Sequence, residues 1–415
     1  MKIVDVRVIV TCPGRNYVIV KIVTDSPGLY GVGDATLNGR ELAVASLIQD
    51  HIAPLLLGRD PDSIEDIWQM LFRGSYWRGG PVQMTAIAGI DTALWDIKGK
   101  TAGLPVYSLL GGKTRTGALA YTHAGGRDPA EVEESVRKCI GRGFKVVRCQ
   151  VSVPGNRGTY GAGGALEAAS ATWPDNKSDS EWGDGGPMPF VETWEPGPYM
   201  RAVTGLFAHL RSALGEEIEL FHDVHERLTP IQAARLAKEL EPYNLFFLED
   251  PLRPEHKESF RLLRNHSTTP IAMGELFSTK WDCLPLITEQ LIDYIRCDLA
   301  HIGGITEARK IAAISECYSV KTAWHGPGDI APPTHAANVH LDLATCNFGI
   351  QEMVFFSDQV NEVLPGAPTF KDGYLHVTDA PGLGTDIDEK SAAKYPYTRS
   401  YLPMSRRADG SVQDW

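Results

Sequence analysis

Along the first hundred residues, apolar and polar positions alternate before giving way to a helical rhythm. Ile3–Val10 and Tyr17–Thr24 repeat with period two, as half-buried strands do, and Leu29–Ala35 follows a Pro-Gly turn as a third strand. Apolar residues then recur every three to four positions over Glu41–Leu57, Ser63–Leu71 and Val82–Lys100, which predicts three helices. Residues 1–112 therefore read as an α+β domain. Asn38, before Gly39, sits between strand and helix, where Asn-Gly is first a turn signal. Tyr76–Gly80 puts aromatic and cationic groups on a further loop, either lining a pocket or facing solvent.

Past residue 112 the pattern changes. Short apolar runs recur, each closing on a polar side chain: His123, Arg148, Asp223, Glu249, Glu275, Asp298, His325 and Glu352. Successive intervals are 25, 75, 26, 26, 23, 27 and 27 residues. An interval near 25 accommodates a strand, a loop, a helix and a second loop, so eight strand ends predict a (β/α)8 barrel of the TIM type over 113–385. The long interval contains a stretch rich in Gly, Pro, Ser, Asp and Trp without sustained periodicity, which reads as a long loop at 152–199. Residues 386–415 remain as a C-terminal tail.

Composition narrows the class. A chain of 415 residues with 43% hydrophobic and 22% charged content suits a soluble protein with one large barrel and a smaller domain. A net charge of −12 argues against nucleic acid and anionic membrane surfaces as partners. Seven cysteines without a Cys-x-x-Cys pair read as reduced thiols of a cytoplasmic protein. The N-terminus lacks the apolar core and cleavage site of a signal peptide, and no apolar run is long enough to span a bilayer.

The candidate chemistry lies in the evenly spaced acids. The carboxyl ends of barrel strands share one mouth, so Asp223, Glu249 and Glu275, closing consecutive strands, are expected to converge. Three hard oxygen donors with no cysteine among them suit Mg2+ better than zinc. The competing reading is three ordinary charged residues that end strands.

One stretch carries a family likeness. Gly89–Gly112, beginning Gly-Ile-Asp-Thr-Ala-Leu-Trp-Asp and ending Leu-Leu-Gly-Gly, resembles the junction of capping domain and barrel in the enolase superfamily, on its mandelate racemase-like side. Finer features resemble the D-mannonate dehydratase subgroup: His-Asp-Val-His-Glu at 222–226, Arg-Cys-Gln at 148–150 where relatives carry a Lys-x-Lys base motif, Tyr160 on a long loop, Trp-His-Gly-Pro-Gly-Asp at 324–329, and the terminal Trp415. The resemblance implies an N-terminal α+β capping domain over 1–112, a catalytic barrel over 113–385, and a tail over 386–415 that returns to the capping domain and the mouth. It also implies Mg2+ held by Asp223, Glu249 and Glu275, a symmetric homo-oligomer, and a sugar acid as small-molecule substrate.

The resemblance further assigns roles. Removing a proton α to a carboxylate places a second negative charge beside the first, and a Lewis acid stabilises that charge. With Gln150 where a lysine base would sit, the base implied is Tyr160, a phenol whose pKa of about 10 must be lowered by a neighbouring cation such as Arg148. His225, two residues past Asp223, would face the same side by strand alternation and protonate the departing hydroxide. Asn38, His123, Arg296, His325, Asp329, Glu352 and Trp415 are the implied substrate contacts. The reaction implied is dehydration of D-mannonate and/or D-gluconate to 2-keto-3-deoxy-D-gluconate. Pro327 stands where the more active mannonate-specific members carry Ala, which implies a slow enzyme or one that also accepts gluconate. Other acid-sugar dehydrations or epimerisations remain open, as does a non-catalytic sugar-acid-binding regulator.

Overall fold

The computed structural model describes residues 1–153, 190–192, 195–399, 404–406 and 409–413. The chain divides into two compact units: Met1–Leu119 with Gly274–Leu284 and Ile295–Thr398, and Ala120–Met273 with Pro285–Tyr294 and Arg399–Trp415.

In the first unit, Ile3–Thr11, Tyr17–Thr24 and Tyr30–Asp34 form an antiparallel meander. The helix Pro81–Ala102 lies on its third strand. The contact is backbone to backbone: a Cβ on Gly31 would lie 2.0 Å from the carbonyl oxygen of Ala93, and one on Gly33 the same distance from that of Gly89. Any side chain at Gly31 or Gly33 would therefore lift the helix off the sheet. This helix is buried on nearly every side over Met84–Gly99, so its apolar residues run without a polar face. Its two internal acids act as fixed acceptors. Asp91 takes the N–H of Thr306 at 2.9 Å, and Asp96 those of Val32 at 3.1 Å and Leu383 at 2.9 Å.

The other predicted helix regions form at Glu41–Ser46, running on through a π-helical turn at Leu47–Ile52 to Leu56, and at Ile64–Arg73. Later residues of this unit return to the meander. The Thr11 hydroxyl donates to Ala392 O at 2.9 Å, Cys12 N to Tyr395 O at 2.8 Å, and Asn16 Nδ2 to Thr398 O at 2.6 Å. Tyr17, Ile19 and Val32 pack with Ala331, Val360, Val363, Leu364 and Ile387 in one buried cluster.

The second unit, which takes in the strand Ala118–Gly126 from Ala120 onward, carries a run of parallel strands: that strand, Val146–Val151, Glu219–Asp223, Leu248–Glu249 and Ile271–Met273, each paired with the next. Helices Pro129–Gly141, Pro196–Leu214, Pro230–Leu240 and Phe260–His266 alternate with them. All six residues of Val146–Val151 are buried, as expected of a parallel strand covered on both faces. Helix starts follow local chemistry: Asp128 caps Ala130 N and Glu131 N, and Thr229 forms a capping box with Gln232. Rings on or beside these strands meet edge-on or tilted, with centroids 4.8 Å apart for Tyr121–Phe221, 4.4 Å for Phe221–Phe247 and 5.1 Å for Phe247–Tyr294.

The strand boundaries differ from the expected ends in a consistent way. The strands carrying His123 and Arg148 run three residues further, to Gly126 and Val151, whereas Glu275, Asp298 and His325 fall beyond the strands Ile271–Met273, Tyr294–Ile295 and Lys321–Thr322. Asp223, Glu249 and Glu352 do end strands. Within 152–199, a helix already starts at Pro196, and Phe190–Glu192 pairs in parallel with Met404–Arg406, itself antiparallel to Val412–Gln413. No helix of the described residues is long and apolar enough to cross a membrane.

Candidate active site

Each unit carries its own group of buried charges. In the second unit the centre is Arg148, 5% exposed, on the strand Val146–Val151 opposite His123 on one side and Phe221 on the other. Its Nη1 donates to Asp223 Oδ2 at 2.9 Å and lies 3.7 Å from Glu249 Oε1. Its Nη2 lies 3.3 Å from His123 Nδ1, which accepts because a guanidinium only donates. Asp223 and Glu249 are register partners on adjacent strands, and neither carboxylate is exposed. Two residues beyond Arg148 on the same strand face, Gln150 Nε2 donates to the Asp223 carbonyl at 3.2 Å.

Beyond Asp223 the strand stops, so strand alternation does not set the direction of His225. Its backbone N–H donates to Asp223 Oδ1 at 2.7 Å, and the chain turns left-handed at His225 (φ 56°) and Glu226 (φ 65°). Asp250, directly after Glu249, is left-handed as well, with φ 36°. Non-glycine residues adopt this conformation at a cost of roughly 1–2 kcal/mol each. Local strain thus gathers beside both acids. His222, by contrast, is structural: its Nδ1–H donates to Cys149 O at 2.9 Å and its Nε2 accepts the Tyr199 hydroxyl at 2.7 Å. Burial pushes it down to about 4, so it is neutral.

In the first unit the centre is His325, set between Asp298 Oδ2 at 2.8 Å and Glu275 Oε2 at 3.3 Å, with Glu352 Oε2 at 3.9 Å. Burial opposes its protonation, but the negative charges of Glu275, Asp298 and Glu352 outweigh that and push the imidazole up to about 10. Burial would likewise raise Asp298, yet His301 and His325 hold it below the usual carboxylate range. Arg296 Nη2 donates to Glu352 Oε2 at 2.7 Å with both side chains buried, and the same oxygen accepts Gly326 N at 2.9 Å. Gly274, at φ 143°, precedes Glu275 where a Cβ would press to 3.2 Å on the backbone of Arg296 and Cys297. Asn38 Nδ2 donates to Asp329 Oδ2 at 3.0 Å, so two of the predicted substrate contacts bond each other.

The structure therefore brings Arg148, Asp223, Glu249 and His123 together in one unit. In the other it gathers His325, Glu275, Glu352 and Arg296. Tyr160 and Trp415 lie outside the described residues. Asp298 was recognised only as a strand end; its bridge to His325 shows the two side by side on neighbouring segments, a pairing no spacing rule marks. Asp223 and Glu249 present buried carboxylate oxygens, the hard donors that a divalent cation such as Mg2+ takes, and Glu275 in the first unit offers the same kind of donor.

Comparison with known proteins gives the lineage. Residues 6–111 match the mandelate racemase / muconate lactonizing enzyme N-terminal domain, and residues 188–391 the enolase C-terminal domain-like family. The chain is 51% identical over 415 residues to a D-mannonate dehydratase of Caulobacter sp. and 51% identical to a D-galactonate dehydratase family member of Cellvibrio japonicus, each match covering 100% of both chains. The crystal structure of an enolase from Pantoea ananatis with bound D-gluconate and Mg superposes with a TM-score of 0.90 at 48% identity, covering 100% of both chains. A run of parallel strands with intervening helices, preceded by the α+β meander, is this family's plan of N-terminal cap and C-terminal TIM-type barrel. The chain belongs to the enolase superfamily.

Proposed function

We propose that the protein is a Mg2+-dependent sugar-acid dehydratase, a hydro-lyase that converts D-mannonate and/or D-gluconate to 2-keto-3-deoxy-D-gluconate and water. The observation that carries this reading is the full-length likeness, at 51% identity, to a D-mannonate dehydratase, supported by the gluconate- and Mg-containing enolase of the same architecture. Asp223, Glu249 and Glu275 are the residues proposed to hold the metal, which when bound supplies a Lewis acid for the substrate carboxylate. The domain limits proposed with it are 1–112, 113–385 and 386–415, in a cytoplasmic homo-oligomer whose partner is a small sugar acid.

The chain's own groups then divide the remaining work. Tyr160 removes the proton at C2 as phenolate, a form favoured by the guanidinium of Arg148. Arg148 is suited to this because it stays charged even while buried against Asp223. His225 delivers the proton that carries the C3 hydroxyl away as water, and the resulting enol tautomerises to the 2-keto-3-deoxy acid. His325 and Arg296 offset the excess negative charge as the enediolate forms. A cation on Glu275 would take back part of the charge that keeps His325 protonated. Asn38, His123, Asp329, Glu352 and Trp415 bind the polyol chain.

The test is a panel of sugar acids, including D-mannonate, D-gluconate and D-galactonate, assayed for 2-keto acid with Mg2+ and repeated with Tyr160→Phe and His225→Asn. Turnover of mannonate or gluconate that both substitutions abolish is expected. Activity that survives both would overturn the roles. Protection against heat by a sugar acid with no turnover of any panel member would instead indicate a binding protein.

A further inference from the structure

The segment Trp324–Asp329 carries His325 and Asp329, yet Gly326 and Gly328 flank Pro327 within it, so the backbone has little stiffness of its own. Its geometry is imposed from outside. The hydroxyl of Tyr17, on the second strand of the meander, donates to Gly328 O at 3.0 Å. His335, on the helix Pro332–Ala344, donates from Nε2 to Pro327 O at 3.0 Å. Both side chains are buried, Tyr17 at 2% and His335 at 5% exposure. Asn338 Nδ2 holds His325 O at 3.2 Å, and Asp34 Oδ2 takes Ala331 N at 2.7 Å just after the segment. Two successive carbonyls are thus each fixed by a buried donor from a different element.

We propose that Tyr17 and His335 are positioning residues of the reaction: by gripping the carbonyls of Gly328 and Pro327 they set where His325 and Asp329 meet the sugar acid, and so tune substrate selectivity. This rests on the dehydratase reading.

The test compares Tyr17→Phe, which removes one hydroxyl and keeps the ring, with His335→Leu, which removes the other donor, and His335→Gln, which restores one. Hydrogen exchange of a peptide spanning 325–331 is read alongside steady-state kinetics on D-mannonate and D-gluconate. Exchange in that peptide is expected to rise about tenfold in Tyr17→Phe and His335→Leu, while the strand Tyr17–Thr24 stays protected. KM for the sugar acid is expected to rise about fivefold with a smaller change in kcat and an altered mannonate-to-gluconate ratio, with His335→Gln recovering most of both. Unchanged exchange in 325–331, or kcat falling with KM and selectivity constant, would overturn the proposal. A wild-type protein that turns over no sugar acid would sink the functional reading instead, and the exchange measurement would then decide the restraint by itself.

Discussion

The two buried charge groups solve one problem with different cations. In the second unit the carboxylates of Asp223 and Glu249 face Arg148, whose charge is permanent at any accessible pH. In the first, Glu275 and Asp298 flank His325, whose charge exists because they are there, with Arg296 fixed on Glu352 alongside. One group is locked in charge; the other can exchange a proton. That division suits a reaction in which negative charge appears on the substrate for part of the cycle only.

Removing the permanent cation gives the largest expected effect. Arg148→Met leaves two buried carboxylates facing an apolar chain, and a loss of about 3–5 kcal/mol in unfolding free energy is expected, with activity abolished. Adding Mg2+ should recover part of that stability, because a second cation then serves the same oxygens. Urea denaturation with and without the metal measures both. Arg296→Met breaks an equally buried pair, but protonated His325 stands 3.9 Å from Glu352. A smaller cost, about 2–3 kcal/mol, is expected, and equal losses in the two variants would remove the distinction between the groups.

Asp91 sharpens the comparison from outside both groups. It bonds a backbone N–H, and burial pushes it up to about 7. A carboxyl raised in the folded state contributes most below its unfolded pKa near 4, and its contribution declines as pH rises towards 7, then stays level. Asp91→Asn should therefore gain on the wild type by up to a few kcal/mol between pH 4.5 and pH 8. A difference independent of pH would show that its ionisation is not penalised. The smallest effect expected is that of Asn38→Ala, which removes one partly buried hydrogen bond to Asp329: about 1 kcal/mol or less in stability, read together with a raised KM.

How much of this was legible in the chain follows from what each feature depends on. The meander and its helices were readable because alternation over Ile3–Thr11 and helical spacing over Ile64–Arg73 are local. The equal intervals of Asp223, Glu249 and Glu275 were readable because each βα repeat costs a similar length of chain. Where a strand stops is set by neighbouring registers, so Val146–Val151 outruns Arg148 and Ile271–Met273 falls short of Glu275. The left-handed turn at His225 comes from an Asp223 carboxylate capturing a backbone N–H, against the ordinary preference of both residues. Pairing of Phe190–Glu192 with Met404–Arg406 joins three-residue strands more than two hundred positions apart, too short for any periodicity to mark. No spacing or motif marks Tyr17 and His335; only the carbonyls they meet distinguish them.

The most direct test of the central claim is formation of 2-keto-3-deoxy acid from D-mannonate and D-gluconate by the purified protein, measured with Mg2+, after chelation, and again with Glu249→Gln. Turnover of at least one substrate that chelation abolishes, Mg2+ restores and Glu249→Gln eliminates is the result predicted. Turnover that persists in the chelated protein or in the Glu249→Gln variant would contradict it.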